Sequence, residues 1–314
     1  MGNRESRPVN GLLLLDKPLG LTSNRALQRV RRLYGAEKGG HTGSLDPLAT
    51  GLLPICLGEA TKIAGLLLGG RKGYEGEVFL GQTTVGEDAE GEVIETRSVP
   101  ELDIDALHRV LERFRGRIHQ VPPAHSALKK DGVPFYKLAR QGVDATPAAR
   151  EVCIDEITVL AWDTPRLRLR VACSAGTYIR SLARDIGVAI GCGAHLSALR
   201  RTWAEPFTQP SMHTLAELEG LAESGDVTAL DALLLPVEAG LMHLPAVQLD
   251  AAGADAIRHG RPWQAGAAPG LYRVRAGERL LALAEAGVDG TLRVQRGFNL
   301  PDDSLVPDAR NPLK

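Results

Sequence analysis

The residues best suited to chemistry lie in one loop between two apolar segments. Residues 39–51 read Gly-Gly-His-Thr-Gly-Ser-Leu-Asp-Pro-Leu-Ala-Thr-Gly, with four glycines, one proline and one carboxylate. Glycine permits positive φ and close approach of another backbone, whereas Pro47 fixes its own φ and holds Asp46 extended. The pattern predicts a rigid, bent loop that presents His41 and Asp46. A plain Asp-Pro turn with a surface histidine is the alternative interpretation.

Several kinds of site are not indicated by the sequence. Asp46 has no second acid close by, as a two-carboxylate hydrolase would need, and there is no serine elbow or dinucleotide fingerprint. His41 lacks a metal-ligand partner four residues away. No CxxC pair occurs, so neither a zinc site nor a redox motif is predicted, and we expect reduced thiols. The cysteines are Cys56, Cys153, Cys173 and Cys192.

A single aspartate on a rigid loop can act as a nucleophile or a general base if a cation keeps it ionised. Arg180 is a candidate cation, because it follows a Gly-Thr-Tyr turn at the start of a predicted helix. Local spacing does not bring Arg180 to Asp46, and a surface arginine is the other interpretation.

Apolar periodicity predicts the elements that must hold this loop and Arg180. Thr22 or Ser23 caps the first helix, Gly35 ends it, and Gly116 caps the third. Predicted strands cover 12–15, 52–57, 74–80, 152–161, 167–173 and 195–202, and predicted helices cover 24–34, 59–68, 103–114, 135–140, 178–190 and much of 214–240. Short glycine-separated strands at 271–275, 280–284 and 291–295 suit a small β-barrel or sandwich. The fold class predicted is α+β.

Charge is unevenly distributed along the chain, although the net charge is only −1. Residues 1–41 contain eight Lys or Arg and three acids, residues 150–203 contain eight Arg and five acids, and residues 258–296 contain seven Arg and three acids. Residues 202–257 have nine acids and no Lys or Arg, and residues 87–105 have eight acids and one Arg. The segregation favours one polyanion-binding side, unless folding intermixes the segments. No apolar run reaches the length that spans a bilayer, and we expect a cytoplasmic protein.

The loop 40–51 resembles the catalytic loop of the bacterial tRNA pseudouridine-55 synthases, the TruB-type enzymes. The other stretches of the chain that resemble motifs of this family are 15–23 (Leu-Asp-Lys-Pro-Leu-Gly-Leu-Thr-Ser), 126–129 (Ser-Ala-Leu-Lys) with 139–142 (Ala-Arg-Gln-Gly), 173–182 (Cys-Ser-Ala-Gly-Thr-Tyr-Ile-Arg-Ser-Leu) and 199–202 (Leu-Arg-Arg-Thr). Their order and spacing agree over roughly residues 10–300. His125 stands where the family more often has tyrosine, and Ser44 where threonine or alanine is commoner.

The resemblance implies a pseudouridine synthase fold, whose central mixed, largely antiparallel sheet is flanked by helices and loops. It implies a catalytic domain over 1–244, a PUA-like RNA-binding β domain over 245–300 and a loose tail over 301–314. The implied reaction is isomerisation of uridine 55 in the T loop of tRNA, with no metal and no cofactor. The implied partner is tRNA; a monomer with no obligatory protein partner and no membrane contact is expected.

The resemblance also assigns roles. Asp46 would be the nucleophile on a flipped-out uridine, attacking either the sugar or the base ring; Tyr74 would stack on the base, and Arg180 would pair with Asp46. The substrate-binding residues implied are His41, Leu199, Lys17, Pro18, Lys129, Tyr178, Arg200 and Arg201. Of these, His41 would fill the vacated space, Lys17 and Pro18 would support the loop, and Lys129 would meet phosphate. The RNA face would carry the arginines of 25–32, Arg200, Arg201 and those of 258–296.

Two alternatives remain open from the sequence. The catalytic subunit of a guide-RNA pseudouridylation complex shares the His-Thr-Gly-x-Leu-Asp-Pro loop. A non-catalytic tRNA-binding folding chaperone would use the same basic surface.

Overall fold

The computed structural model describes residues 6–124, 126, 128–130, 132–135, 141 and 147–300. For Lys129, Lys130 and Pro134 it describes the backbone alone. Most of the predicted helix 135–140, His125, parts of the 126–129 and 139–142 motifs, and the tail from 301 lie outside the described residues.

The strands and helices follow each other closely along the described chain. The strands are Gly11–Lys17 (β1), Gly39–His41 (β2), Ala49–Leu57 (β3), Lys72–Leu80 (β4), Gln82–Thr84 (β5), Val93–Thr96 (β6), Gly116–Gln120 (β7), Lys129–Lys130 (β8), Val133–Pro134 (β9), Arg150–Asp163 (β10), Arg166–Cys173 (β11), Ala194–Ala204 (β12), His213–Thr214 (β13), Ala246–Gln248 (β14), Trp263–Gln264 (β15), Gly270–Ala276 (β16), Arg279–Ala286 (β17) and Thr291–Gly297 (β18). The helices are Ser23–Tyr34 (α1), Ala64–Leu68 (α2), Ile104–Glu112 (α3), Ile179–Ile190 (α4), Leu215–Ser224 (α5), Val227–Ala232 (α6) and Ala251–Arg258 (α7), with 3₁₀ helices at Gly58–Ile63 and Val237–Leu241.

The first sheet of the described chain has nine strands, in the order β13-β1-β3-β12-β4-β11-β10-β7, with β2 paired to β3. The β1/β13 and β3/β12 pairs are parallel, and the other pairs of this sheet are antiparallel. The expectation of a mixed, largely antiparallel sheet flanked by helices is therefore confirmed. A second sheet has the order β14-β16-β17-β18-β15, which agrees with the predicted strands near the end of the chain.

The first sheet is held by apolar packing against helices. Strand β1 is almost continuously apolar because both of its faces are buried. Helix α1 buries Ala26, Leu27 and Val30 in the same core, to which α4 contributes Leu182 and Ile186. The N-cap of α1 is Thr22, whose hydroxyl accepts a hydrogen bond from the Arg25 N–H. Gly35 ends α1 in the left-handed conformation, with φ of 63°.

The two sheets share a second apolar core. It joins Leu12 and Ile63 from the first part of the chain to Leu280 and Leu283 of β17 and to Phe298, which follows β18. An ion pair at the same junction connects Arg273 on β16 to Glu238, with Nη1 and Oε1 2.8 Å apart. The second sheet is therefore fixed against the first by both packing and charge.

Some predicted elements have different boundaries. The helix expected over 59–68 is split into the 3₁₀ helix and α2; Gly65, a poor helix former, lies near the junction. Helix α3 ends at Glu112, so Gly116 does not cap it and instead starts β7 with φ of 76°. Helix α7 was not predicted, because its alanines and glycine form only a short apolar face.

No helix in the described ranges is long and apolar enough to cross a membrane. The four cysteines are free thiols; Cys56, Cys173 and Cys192 are buried, while Cys153 is half-buried.

Candidate active site

The loop predicted from the glycines is held at both ends by β3. Strand β2 leads into it by pairing with β3, with His41 opposite Ile55, and β3 itself begins at Ala49 as the loop ends. Within the loop, Ala49 N–H donates to the Asp46 carbonyl at 3.0 Å. Ser23 fastens the middle: its hydroxyl donates to the Leu45 carbonyl at 3.0 Å and accepts from the Leu45 N–H at 2.7 Å. The prediction of a rigid loop is confirmed.

One glycine at the end of the loop is required by a neighbouring strand. Gly51 has φ of 93°, and a Cβ there would lie 2.2 Å from the carbonyl oxygen of Arg201. The contact arises because β12 runs parallel to β3 and places Arg201 opposite Gly51. Strand β12 therefore comes against the loop only if residue 51 lacks a side chain.

Arg180 meets Asp46 at this loop. Its Nε lies 3.0 Å from Asp46 Oδ2, and its side chain is only 6% exposed. Its Nη1 donates to the Gly86 carbonyl at 2.9 Å and lies 3.3 Å from Asp88 Oδ2. Arg180 therefore bridges Asp46 and the acidic loop after β5, and the alternative interpretation as a surface arginine is wrong.

The environment of Asp46 shifts its pKa upward. Partial burial raises the pKa, and the carboxylate of Asp88 raises it further, while Arg180 and Lys17 lower it. Because burial outweighs the two cations, Asp46 takes up a proton at a higher pH than an ordinary aspartate. The ion pair with Arg180 limits this rise and fixes the direction of the carboxylate.

The substitution Asp88→Asn is expected to shift the acidic side of the pH–rate profile to lower pH. A nucleophilic Asp46 works only when ionised, so activity falls as the pH drops through its pKa. Since Asp88 raises that pKa, removing its charge lowers the pKa and extends activity to more acidic solutions. The measurement is the single-turnover rate constant against pH. Glu92→Gln, which removes an exposed charge from the same loop, is the matched control; an unmoved or raised acid limb in Asp88→Asn would contradict the account.

Tyr74 and Leu199 form the wall opposite Asp46. Tyr74 on β4 is 7% exposed and lies across from Arg201 on β12, while Leu199 lies across from Gly76. Burial raises the pKa of Tyr74, and the Arg201 guanidinium opposes that rise. The phenol therefore stays protonated at neutral pH and offers an apolar ring face to the pocket.

These side chains surround one cavity of about 300 Å³. Six predicted site residues line it together, namely Asp46, Tyr74, Tyr178, Arg180, Leu199 and Arg201. A carboxylate paired with a cation and a tyrosine ring in the same cavity could hold a planar ring next to the carboxylate.

Tyr178 is fixed through its backbone. Its N–H donates to Gln120 Oε1 at 2.8 Å, and its carbonyl accepts from Gln120 Nε2 at 3.1 Å. Tyr178 is the N-cap residue of α4. The hydrogen bonds from Gln120 to its backbone therefore also position Arg180, two residues later in the helix.

Lys17 is buried, whereas its neighbour Pro18 is exposed. The Lys17 side chain is fully buried, and its ammonium donates to the carbonyls of Pro18 at 2.9 Å and Leu21 at 2.7 Å. It therefore holds the turn after β1, whereas the prediction was that it supports the loop 39–51. Because its side chain is fully buried, the prediction that Lys17 binds substrate directly is corrected.

The pair Arg200 and Arg201 does not form one basic surface. Adjacent strand residues point to opposite faces of a sheet, and Arg201 is 1% exposed. Its Nε donates to the Leu52 carbonyl at 2.6 Å and its Nη2 to the Gly43 carbonyl at 3.1 Å. The expectation that Arg201 lies on an RNA face is wrong. Arg200 stays half-exposed and pairs with Asp16 at 2.7 Å.

His41 is half-buried at the entry of the loop. Burial and the nearby Arg201 guanidinium lower the pKa of the imidazole, so the ring is neutral at physiological pH. A neutral ring suits stacking on bases. The side chain of Lys129 lies outside the described residues, so its predicted phosphate contact stays a prediction.

The arginines of 258–296 are mostly engaged within the protein. Arg273 is buried against Glu238, while Arg275 contacts Glu238 and Glu278. Arg261 pairs with Asp255 and Arg293 with Asp289. The expectation that this whole set is a free RNA-binding surface is therefore corrected. Among the residues that the structure covers, Arg258 and Arg296 are exposed and form no ion pair.

Sequence reasoning missed two residues of the site. Asp88 belongs to a loop recognised only as acidic, and no local pattern shows that it reaches Arg180. Lys72 lines the cavity beside Tyr74, and the two-residue alternation of β4 places both on one face. That alternation was a usable signal for Lys72.

Comparison with known proteins identifies the family. The chain matches the model for the "TruB family pseudouridylate synthase (N terminal domain)" over residues 31–179. It is 53% identical over 297 residues to the tRNA pseudouridine synthase B of Xanthomonas campestris pv. campestris (strain 8004), covering 93% of this chain and 95% of that protein. The chain belongs to the TruB family of pseudouridine synthases. The family resemblance seen in the motifs is confirmed.

Other TruB family matches agree. The model for the "tRNA pseudouridylate synthase B C-terminal domain" matches residues 180–242. The tRNA pseudouridine synthase B of Stutzerimonas stutzeri (strain A1501) is 50% identical over 296 residues, covering 93% of this chain and 97% of that protein.

Solved structures share the fold at lower identity. A protein in "Structure of H/ACA RNP bound to a substrate RNA containing 2'-deoxyuridine" aligns with a TM-score of 0.71 at 26% identity, covering 92% of this chain and 85% of that chain. One in "Crystal Structure of a Cbf5-Nop10-Gar1 Complex" aligns with a TM-score of 0.70 at 26% identity, covering 95% and 91%. The TruB family fold is thus similar to that of proteins found in such complexes.

Proposed function

We propose that this protein isomerises uridine to pseudouridine in tRNA, and that its target is position 55 in the T loop. The observation that carries the proposal is the Asp46–Arg180 ion pair in a cavity that Tyr74 and Leu199 also line. The relatives at 50–53% identity bear the name tRNA pseudouridine synthase B, which supports tRNA as the substrate.

The cavity requires the target base to leave the helical stack. A base inside a stack cannot reach a carboxylate recessed in a pocket, so the nucleotide must be flipped out. Tyr74 then supplies a π-face for the uracil, and Leu199 closes the other side. His41, at the entry of the same loop, fills the space that the base leaves.

Asp46 is the nucleophile in this proposal. Arg180 keeps its carboxylate ionised and aimed into the cavity. The carboxylate forms a bond either to C1′ or to ring C6, and the C1′–N1 bond breaks with its electrons passing to the uracil. The uracil turns, C5 forms a bond to C1′, and the bond to Asp46 breaks with its electron pair returning to the carboxylate. C5 loses its proton, N1 gains one, and Asp46 leaves unchanged. The product has the same atoms as the substrate.

The second sheet is proposed to extend the RNA contact. Residues 245–300 would act as a PUA-like domain that binds the acceptor end of tRNA, while the arginines of α1 contact the T arm. Arg25 and Arg32 are exposed on α1, as phosphate contacts require.

Replacing Arg258 and Arg296 together by glutamine is expected to weaken tRNA binding and flatten its salt dependence. Each phosphate contact contributes about 0.9 to the slope of log affinity against log salt, so the slope should fall by about 2. Binding titrations at several salt concentrations measure this. The control is Arg261→Gln with Arg293→Gln, which removes the same charge from arginines already paired with acids. Equal losses in both double variants would contradict a specific role for the free pair.

The protein is proposed to act alone, as a monomer in the cytoplasm. The structural relatives in RNA–protein complexes make the guide-RNA subunit the second candidate, but their 26% identity is half that of the tRNA pseudouridine synthases. The test is tritium release from tRNA labelled at uridine C5, with purified protein and no other RNA. Release supports independent activity; release only after guide RNA or partner proteins are added would favour the second candidate. Binding without release under any condition would favour a tRNA chaperone.

A further inference from the structure

Two cations lie beneath the catalytic loop, on the floor of the cavity. Lys72 and Arg201 are 7% and 1% exposed, and both line the cavity with Asp46 and Tyr74. A Cβ built on Gly43 would lie 3.4 Å from Arg201 Nη1 and 3.6 Å from Lys72 Cε. The two side chains therefore approach the same point of the loop from below.

Neither cation forms an ion pair with a carboxylate of the described residues, although the more distant Glu205 raises the pKa of Lys72. The Lys72 ammonium donates to the carbonyls of Leu68 at 3.0 Å and Gly70 at 2.6 Å. Arg201 donates to the carbonyls of Leu52 and Gly43 and also hydrogen-bonds with the Tyr74 hydroxyl, which is uncharged. Burying a charge without a counter-charge is costly, and two neighbouring cations repel each other. Burial and Arg201 accordingly lower the pKa of Lys72. An anion that enters the cavity would relieve this repulsion.

The reaction itself generates such an anion, an argument that rests on the proposed function. When the C1′–N1 bond breaks, its electron pair stays on the uracil, and the charge spreads to O2 and O4. Attack of Asp46 at ring C6 would likewise push an electron pair onto the ring and O4. Either route therefore places negative charge on a base enclosed in this cavity.

We propose that Lys72, assisted by Arg201, is a catalytic cation that stabilises the negatively charged uracil during isomerisation. Fixed positive groups in a cavity closed to water are effective where charge develops in the transition state. Arg180 cannot supply this charge, because Asp46 and Asp88 already engage it. When C5 bonds to C1′ and releases its proton, and N1 takes one up, the charge on the base disappears.

The test compares two tRNA substrates that differ in how well the base carries negative charge. Fluorine at C5 withdraws electrons and stabilises the uracil anion, so a 5-fluorouridine tRNA needs less help from a cation. Lys72→Met is expected to slow single-turnover conversion of ordinary tRNA about 100-fold, and of the fluorinated tRNA less than about 10-fold. In both cases the RNA is digested and the loss of the target nucleoside is followed by liquid chromatography, which separates isomers of equal mass.

Further variants separate charge from structure. Lys72→Gln keeps a hydrogen-bond donor without charge and should behave as Lys72→Met does, whereas Lys72→Arg should restore most of the rate. The control is Lys62→Met. Lys62 lies in the 3₁₀ helix before α2 and pairs with Glu59 outside the cavity, so the rate of this variant should stay within about two-fold of the wild type. If the Lys72 variants converted both RNAs equally slowly, or at the wild-type rate, the proposed role of Lys72 would be overturned. The proposed function would still stand as long as the wild-type protein converts the tRNA. A wild-type protein that converts neither RNA would overturn both.

Discussion

Asp46→Asn is expected to abolish pseudouridine formation while tRNA affinity stays within about three-fold of the wild type. The substitution keeps the size of the side chain and its position opposite Arg180, but it removes the nucleophilic carboxylate. Loss of a group that forms the covalent bond costs at least about 10³-fold in rate. Because Asp46 lies in a recessed cavity and carries negative charge, it is not a phosphate contact, and binding should survive.

Single-turnover tritium release and filter binding separate the two quantities. Asp163→Asn removes an equivalent charge from the exposed end of β10 and should leave both unchanged. If Asp46→Asn retained a tenth or more of the wild-type rate, or if its affinity fell together with its rate, the assignment of Asp46 as nucleophile would fail.

Arg180→Met is expected to remove activity and to destabilise the fold. The guanidinium connects Asp46 to Asp88, whose side chain is only 9% exposed. Removing it leaves Asp88 as a buried, unpaired charge, which typically costs about 3–5 kcal/mol of unfolding free energy. Activity should fall at least about 10³-fold, because Asp46 loses the cation that orients it.

A second substitution distinguishes the two effects. In the double variant Arg180→Met with Asp88→Asn, no buried charge is left unpaired at residue 88, so urea unfolding should recover much of the lost stability. Activity should not recover, since Asp46 still lacks its cation. Arg97→Met, which breaks an exposed pair with Glu95, should change stability by less than about 1 kcal/mol. Recovery of activity along with stability would show that Arg180 serves the fold alone.

Local patterns predicted the elements, and contacts between distant segments account for what was missed. Glycine, proline and alternating apolar residues act within a few positions, so the loop around Asp46, helix α1 and the paired strands β10 and β11 could be read directly. The approach of Arg180 to Asp46 depends on how α4 and the loop lie across the sheet. The resemblance to a family implied that pair, whereas spacing alone did not.

The wrong predictions for individual arginines also arise from contacts between segments that are distant in sequence. Arg200 and Arg201 look alike in sequence, yet alternation on β12 turns one to Asp16 and the other beneath Gly43. The arginines after residue 258 looked free because the acids that pair with them, such as Glu238, lie elsewhere in the chain. Lys72 carried no motif of its own, and its burial beside Arg201 became apparent only with the strands in register.

The central claim is a single isomerised uridine in the T loop, made by this protein alone. The most direct measurement is mapping of pseudouridine after purified protein is incubated with total unmodified tRNA. Because the two isomers have equal mass, the RNA is treated with a carbodiimide that labels pseudouridine before mass spectrometry. We expect pseudouridine at position 55 with the wild-type protein and no new modification with Asp46→Asn. Pseudouridine at other positions only, or none without an added guide RNA, would contradict it.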